Sequence, residues 1–181
     1  MQFAVDAIEI FLQPGEVYFG DKSTRIRTVL GSCVAITLWH PRLKLGGMCH
    51  YMLGRRKRRA SGELDGRYAD EALQLLLREI NVLGGNPREY QVKLFGGGNM
   101  FVHAPSGTGQ QINVADDNVV AGRELLAQHG FAISAEQLGG QGHRQVIFEI
   151  SSGDVWVRKH GISQGGPELN ADTPSAKSDN P

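Results

Sequence analysis

Residues 31–53 read GSCVAITLWHPRLKLGGMCHYML. Val34 to Trp39 are apolar or β-branched, as are many residues between Leu45 and Leu53, while His40-Pro41-Arg42-Leu43 carries proline and charge. That alternation predicts two antiparallel strands joined by a short turn. With the loop placed at residues 40–43, facing residues sum to 83, which sets Trp39 opposite Lys44 and Cys33 opposite His50. Directly opposed side chains have Cβ atoms about 4.5 to 5.5 Å apart, close enough for an imidazole to reach a sulfur. A slip of one residue, to a sum of 82, sets Cys33 against Cys49 and turns His50 to the other face of the sheet. The two registers offer different chemistry, a nucleophile beside its base or a disulfide. An imidazole that takes the thiol proton keeps a sulfur nucleophile ready, whereas a cysteine in an apolar strand is otherwise a packing residue.

Outward from the hairpin, Gly15 to Gly20 reads as a short strand, and Arg25 to Leu30 leads into Cys33. A helix is predicted from Tyr68 to Leu83, where Ala72, Leu75, Leu76, Glu79, Ile80 and Leu83 recur at helical spacing and Gly84-Gly85 ends the run. Tyr90 to Phe95 is a strand running into Gly96-Gly97-Gly98, and a second helix is expected from Asp116 to His129, with Asp116 and Asp117 at its positive end. Phe131 to Gln137, Arg144 to Ile150 and Val155 to Lys159 complete the strands, the last two joined as a hairpin through Ser151-Ser152-Gly153-Asp154. Helices lying between groups of strands argue for an α/β (α+β) layered sandwich with mostly antiparallel sheets and two principal helices.

Composition narrows the function classes. A chain of 181 residues with 40% hydrophobic content suits one globular domain, expected over 1–160, and the polar, Gly/Pro-rich residues 161–181 read as a disordered tail. No apolar run reaches the roughly 20 residues of a membrane span. The segment MQFAVDAIEIFLQPGE carries Asp6 and Glu9 and lacks a basic start, so it is not read as a signal peptide, and the expected compartment is the cytoplasm, where two thiols stay reduced. Arg55-Arg56-Lys57-Arg58-Arg59 reads first as a solvated loop and alternatively as a contact for an acidic surface. A formal net charge of zero and the absence of interleaved aromatics argue against nucleic acid. Gly96-Gly97-Gly98 lacks the lysine of a phosphate-binding loop, and the six histidines are scattered, so neither a nucleotide cofactor nor a metal is expected.

The blocks TVLGSCVAITLWHP, GGMCHYMLG, KLFGGGNMF and GGQGHRQVIFEISSGDVWVRK, taken in order, resemble the CheD family from roughly Gly15 to Lys159. The most specific element is Leu-Gly-Ser-Cys-Val followed by Gly-Gly-Met-x-His, here Leu30 to Val34 and Gly46 to His50. The resemblance implies a chemoreceptor glutamine deamidase, with a layered fold similar to that of glutamine-deamidating toxin domains. It implies Cys33 as nucleophile, His50 as general base, and an upstream threonine as the third member, for which Thr28 is the better match and Thr24 the other. The implied partners are cytoplasmic domains of methyl-accepting chemoreceptors and, in some systems, a CheC-type phosphatase. The chain departs from the family in having Gly54 and the basic run where proline usually follows the histidine segment.

Three classes of function fit these residues. A glutamine deamidase needs Cys33 for ammonia release, a cysteine protease or acyltransferase uses the same pair on a peptide bond, and a binding module keeps Cys33 for packing alone.

Overall fold

The computed structural model describes residues 7–57, 62–83, 85–100 and 113–161. Residues 162–181 of the tail expected at 161–181, Gly84, and Arg58 and Arg59 of the basic run lie outside the described residues. Nine strands and two α-helices are described: β1 (Ile8–Phe11), β2 (Val17–Gly20), β3 (Thr24–Leu30), β4 (Val34–His40), β5 (Leu45–Tyr51), α1 (Ala69–Val82), β6 (Gln91–Gly96), α2 (Val114–Gln128), β7 (Ile133–Leu138), β8 (His143–Glu149) and β9 (Val155–His160). They form a four-stranded sheet in the order β1-β3-β8-β9 and a five-stranded sheet in the order β2-β5-β4-β6-β7. The pairs β1–β3 and β6–β7 are parallel and the rest antiparallel. This is the expected α+β layered sandwich, and the β8–β9 hairpin is present as predicted.

Two cores define three layers. Ile26, Leu30, Ala35, Trp39, Met48, Phe95, Val146 and Phe148 pack between the two sheets. Val34, Ile36, Leu38, Cys49 and Tyr51 face the other way, against Ala72, Leu73 and Leu76 of α1 and Leu125 and Leu126 of α2. The five-stranded sheet is therefore the middle layer, and every residue of β4 is buried. Burial on both faces is why Val34 to Trp39 reads as an unbroken apolar run instead of an alternating one. Trp39 joins the two sheets, its indole N–H donating to the Ile150 carbonyl at 2.8 Å.

The β4–β5 register corrects the sequence expectation. Facing pairs run from Val34↔Tyr51 to His40↔Leu45, so they sum to 85, and His50 faces Ala35 rather than Cys33. The turn is Pro41 to Lys44. Lys44 adopts a left-handed φ of 53°, its N–H returns to the His40 carbonyl at 3.0 Å, and His40 Nδ1 accepts from the Arg42 and Leu43 amides at 3.3 Å. His40 is thus held in the strand as the turn's acceptor. The displacement from 83 to 85 is even, so every side chain keeps its face. The register that opposes Cys33 to Cys49 is not adopted, and both cysteines are free thiols.

The helices also differ in detail from the expected stripes. α1 buries Ala69, Ala72, Leu73, Leu76 and Ile80, while Glu79 and Leu83 are exposed and Leu75 is half-buried. α2 begins two residues earlier than expected, behind an Asn113 cap whose side chain accepts from the Asp116 amide. β1 was not expected as a strand, since three of its four residues are exposed and its apolar side chains do not alternate cleanly into a core.

Candidate active site

Strand directions bring one end of the molecule together. The start of β4 with Cys33, the end of β5 with His50, the end of β3, the end of β6 and the start of β8 all meet there. The Gly-rich loops stitch this end. Gly97 donates to the Cys33 carbonyl at 2.8 Å, Gly98 to the Gly31 carbonyl at 2.7 Å, Asn99 to Gly140 at 2.7 Å and Gly142 to Asn99 at 2.9 Å. Gly96 has a φ of +123°, and a Cβ there would collide with the Cys33 carbonyl oxygen. A side chain at position 96 would therefore displace the residue that carries the thiol.

His50 is fixed from both its backbone and its ring. Its carbonyl accepts from Gly15 at 2.7 Å, its N–H donates to Glu16 at 3.0 Å, and only 2% of the residue is exposed. Thr28, fully buried on β3, places its hydroxyl 2.8 Å from His50 Nδ1 and 2.9 Å from the Leu12 carbonyl. A hydroxyl has one proton, and the Leu12 carbonyl can only accept, so that proton goes to Leu12. Nδ1 must then be the donor to Thr28, which leaves the Nε2 lone pair as the basic nitrogen. Nε2 is buried without a hydrogen-bond partner among the described residues. Burial pulls the imidazole down to about 4, against smaller upward pulls from the Leu12 carbonyl and the Glu16 carboxylate, so the ring is neutral at pH 7.

Cys33 packs against the inter-sheet core, on the face that carries Ala35 and Met48. Since Ala35 faces His50, Cys33 and His50 stand in a diagonal cross-strand relation, with Cα atoms about 7 to 8 Å apart in such a geometry. No hydrogen bond joins them in this structure. Burial pushes the Cys33 thiol up, opposed by its own backbone N–H and by the Ser32 hydroxyl, so the resting pair is a thiol beside a neutral imidazole. Among the described residues the Ser32 and Cys33 amides donate to no carbonyl. Cys49 lies on the opposite, helix-facing side, fully buried and pushed up to about 12, which removes it from thiolate chemistry.

The structure brings Thr28 to His50 and leaves Thr24 away from it. Thr24 is four residues back along β3, about 13 Å at strand rise. Two buried polar residues were not anticipated. Arg144, with no exposed surface, donates to the Gln137 and Gly139 carbonyls and so holds the loop that follows β7. Asn118 donates from α2 to the Ser32 carbonyl at 3.0 Å and the Met52 carbonyl at 2.7 Å. A polar residue at an inward strand position, and an asparagine inside an apolar helical stripe, were the available signals.

The basic run is less free than its composition suggests. Arg56 is half-buried, lies 3.1 Å from Asp65 and 3.5 Å from the buried Glu71, and stacks 4.6 Å over the Tyr68 ring. Arg55 donates to Gln128 at 2.7 Å and stands 4.0 Å from Glu124. The solvated-loop expectation holds for Lys57, which is exposed, and not for Arg56. No group of three or more metal-binding side chains occurs among the described residues, and no described helix is long and apolar enough to cross a membrane.

Comparison with known proteins shows the family. Residues 52–159 match the family model described as CheD chemotactic sensory transduction. A protein of Dechloromonas aromatica (strain RCB), "Probable chemoreceptor glutamine deamidase CheD 3", is 52% identical over 149 residues, covering 82% of this chain and 86% of the relative. "Probable chemoreceptor glutamine deamidase CheD" of Pseudomonas savastanoi pv. phaseolicola is 53% identical over 161 residues, 87% of this chain and 88% of the relative. A Leptospira interrogans protein, "Probable chemoreceptor glutamine deamidase CheD 1", is still 39% identical over 157 residues, 84% of this chain and 93% of the relative. A family-model match over more than half of the chain, and identity near one half across most of both partners, agree in saying that the chain belongs to the CheD family.

Proposed function

We propose that this CheD protein is a chemoreceptor glutamine deamidase, converting glutamine side chains of receptor cytoplasmic domains to glutamate with release of ammonia, and that Cys33, His50 and Thr28 perform the chemistry. The observation that carries this is the Thr28–His50 hydrogen bond of 2.8 Å, which commits Nδ1 as donor and leaves the Nε2 lone pair without a partner among the described residues, on a histidine that shares its sheet face with Cys33.

The steps follow from the resting protonation states. A turn about χ1 of Cys33 brings Sγ to Nε2, a contact that such sites commonly close only with substrate bound. Sγ attacks the side-chain carbonyl carbon of glutamine as its proton passes to Nε2, giving a tetrahedral oxyanion and an imidazolium. The Ser32 and Cys33 amides, which donate to no carbonyl among the described residues, are donors for that oxyanion. The imidazolium returns its proton to the amide nitrogen, the C–N bond breaks, ammonia leaves and a thioester remains. Water gives a proton to Nε2 as it attacks, and collapse to the carboxylic acid frees the thiol. Thr28 keeps the ring in the one tautomer able to do this throughout. Each event adds a negative charge to a receptor helix.

The same reading takes residues 1–160 as the deamidase unit in the cytoplasm, with 161–181 dispensable for chemistry. A CheC-type phosphatase is a partner that this reading admits beside catalysis.

The test is peptide mass spectrometry of a receptor cytoplasmic domain incubated with wild type or Cys33→Ala. Gln-to-Glu conversion by wild type alone is the expected result. Bound receptor without any conversion by wild type would instead make the protein an adaptor.

A further inference from the structure

The helix layer reaches the site through one polar side chain. α2 buries Ala115, Ala121, Leu125 and Leu126, and Asn118 stands in that stripe without exposure to solvent. Its Nδ2 holds two carbonyls, of Ser32 at 3.0 Å and of Met52 at 2.7 Å. Ser32 is the residue before the nucleophile, and Met52 is two residues past the base. Because both neighbours are acceptors, the amide must present its NH2 to them. Oδ1 is left buried without a partner among the described residues. A buried unpaired acceptor is a net cost to folding that an apolar side chain in this stripe avoids, and asparagine is a poor residue for a helix interior. Against that cost stand the two backbone carbonyls that the amide satisfies and that an apolar side chain would leave without this donor. What its amide does that no apolar residue can is tie the thiol loop to the end of the histidine strand.

Resting on the deamidase reading above, we infer that Asn118 is a positioning residue for amide hydrolysis. It sets the distance between the Ser32-Cys33 loop and the end of β5, so that rotation about the Cys33 side chain carries Sγ to His50 Nε2 and not past it. The loop's other anchors, from Gly97 and Gly98 to Cys33 and Gly31, tie it to β6, and the β4–β5 ladder begins only at Val34↔Tyr51, so Asn118 is the side chain that ties the residues before Val34 to the end of β5. Misplacement of a reacting group by about 1 Å is enough to slow a reaction 10²-fold.

Tyr51 supplies an internal control. Its hydroxyl donates to the backbone carbonyl of Asn118 at 2.7 Å, joining the same helix to the same strand next to His50, without touching the Ser32 loop. Full-length Asn118→Leu, which keeps the volume and removes both donors, is compared with Tyr51→Phe. Asn118→Asp, of the same shape and lacking the amide donor, serves if the leucine variant does not stay folded. Two readouts are taken on the folded proteins: iodoacetamide alkylation of Cys33 against pH, followed by peptide mass spectrometry, and kcat and KM for receptor deamidation.

The expected result is that loss of the Asn118 amide lowers kcat about 30- to 100-fold with KM within about twofold. Alkylation of Cys33 at pH 7 falls about tenfold as the thiol loses its base, while Tyr51→Phe leaves both within about threefold despite a lower melting temperature. Equal losses from the two variants, or an alkylation profile of the Asn118 variant that overlays wild type, would overturn the inference. Alkylation needs no receptor, so absence of deamidation by wild type would sink the deamidase reading while the alkylation profiles still decide Asn118's hold on Cys33.

Discussion

Thr28 and His50 come from different sheets, yet their side chains meet at 2.8 Å inside the molecule, with the Thr28 proton already given to Leu12. Replacing Thr28 by valine keeps the shape and leaves His50 Nδ1–H without its acceptor. We expect kcat for ammonia release to fall on the order of 10²-fold and stability to fall by about 1 to 3 kcal/mol. Thr24→Val, at the far end of β3, should leave kcat near wild type. Equal kinetic effects of the two would remove Thr28 from the machinery.

Burial of a neutral His50 makes stability depend on pH. Its folded value of about 4 lies below the ordinary 6.5, so between those limits the unfolded chain takes up a proton that the folded chain refuses. This contribution is fully present above about pH 6.5 and is lost as pH falls toward 4, an effect of about 3 kcal/mol. Urea denaturation at pH 7, 5.5 and 4.5 should show His50→Gln losing less stability on acidification than wild type. The acid limb of kcat/KM should likewise fall well below pH 6.5; a limb centred at 6.5 contradicts a desolvated imidazole.

Arg56 and Glu71 close the segment that follows β5. Arg56→Met keeps the stem over Tyr68 but leaves the buried Glu71 carboxylate without its cation, at a cost of about 2 kcal/mol in urea midpoint at constant slope. Arg55→Met, at an exposed pair, should cost less than about 0.5 kcal/mol. If the run also meets an acidic receptor surface, serine at Lys57, Arg58 and Arg59 should weaken binding and flatten its salt dependence without touching stability. Unchanged affinity and unchanged salt slope count against that contact.

Gly96→Ala forces a Cβ into the Cys33 carbonyl oxygen at a φ that side chains rarely adopt. A loss of about 2 kcal/mol or more is expected, together with lower kcat in the fraction that remains folded. Differential scanning calorimetry beside the ammonia assay separates the two effects.

Much of this is legible in the sequence, and the exceptions have physical causes. The strands around the turn, the two helices and the β8–β9 hairpin follow from periodicity and turn residues. Register did not follow, because it depends on Lys44 adopting φ 53° and on His40 serving as the turn's acceptor, neither of which propensity encodes. Cys33 and His50 still share a face, since an even displacement preserves side-chain parity. Arg56 was read as solvated because its carboxylate partners, Asp65 and Glu71, are brought to it only by the folded loop. Asn118 and Arg144 stayed invisible because their partners are backbone carbonyls, which carry no signature in a sequence.

The proposed site draws Thr28 from the four-stranded sheet, Cys33 and His50 from the ends of the middle sheet's central strands, and Asn118 from the helix layer. A partly folded chain owns a cysteine but no tautomer-locked imidazole beside it and no clamp on the loop. On the proposed site, hydrolytic competence therefore requires every layer to have docked. Deamidation rate is in turn a reporter of complete assembly, sensitive to failures at either interlayer interface that leave the secondary structure intact.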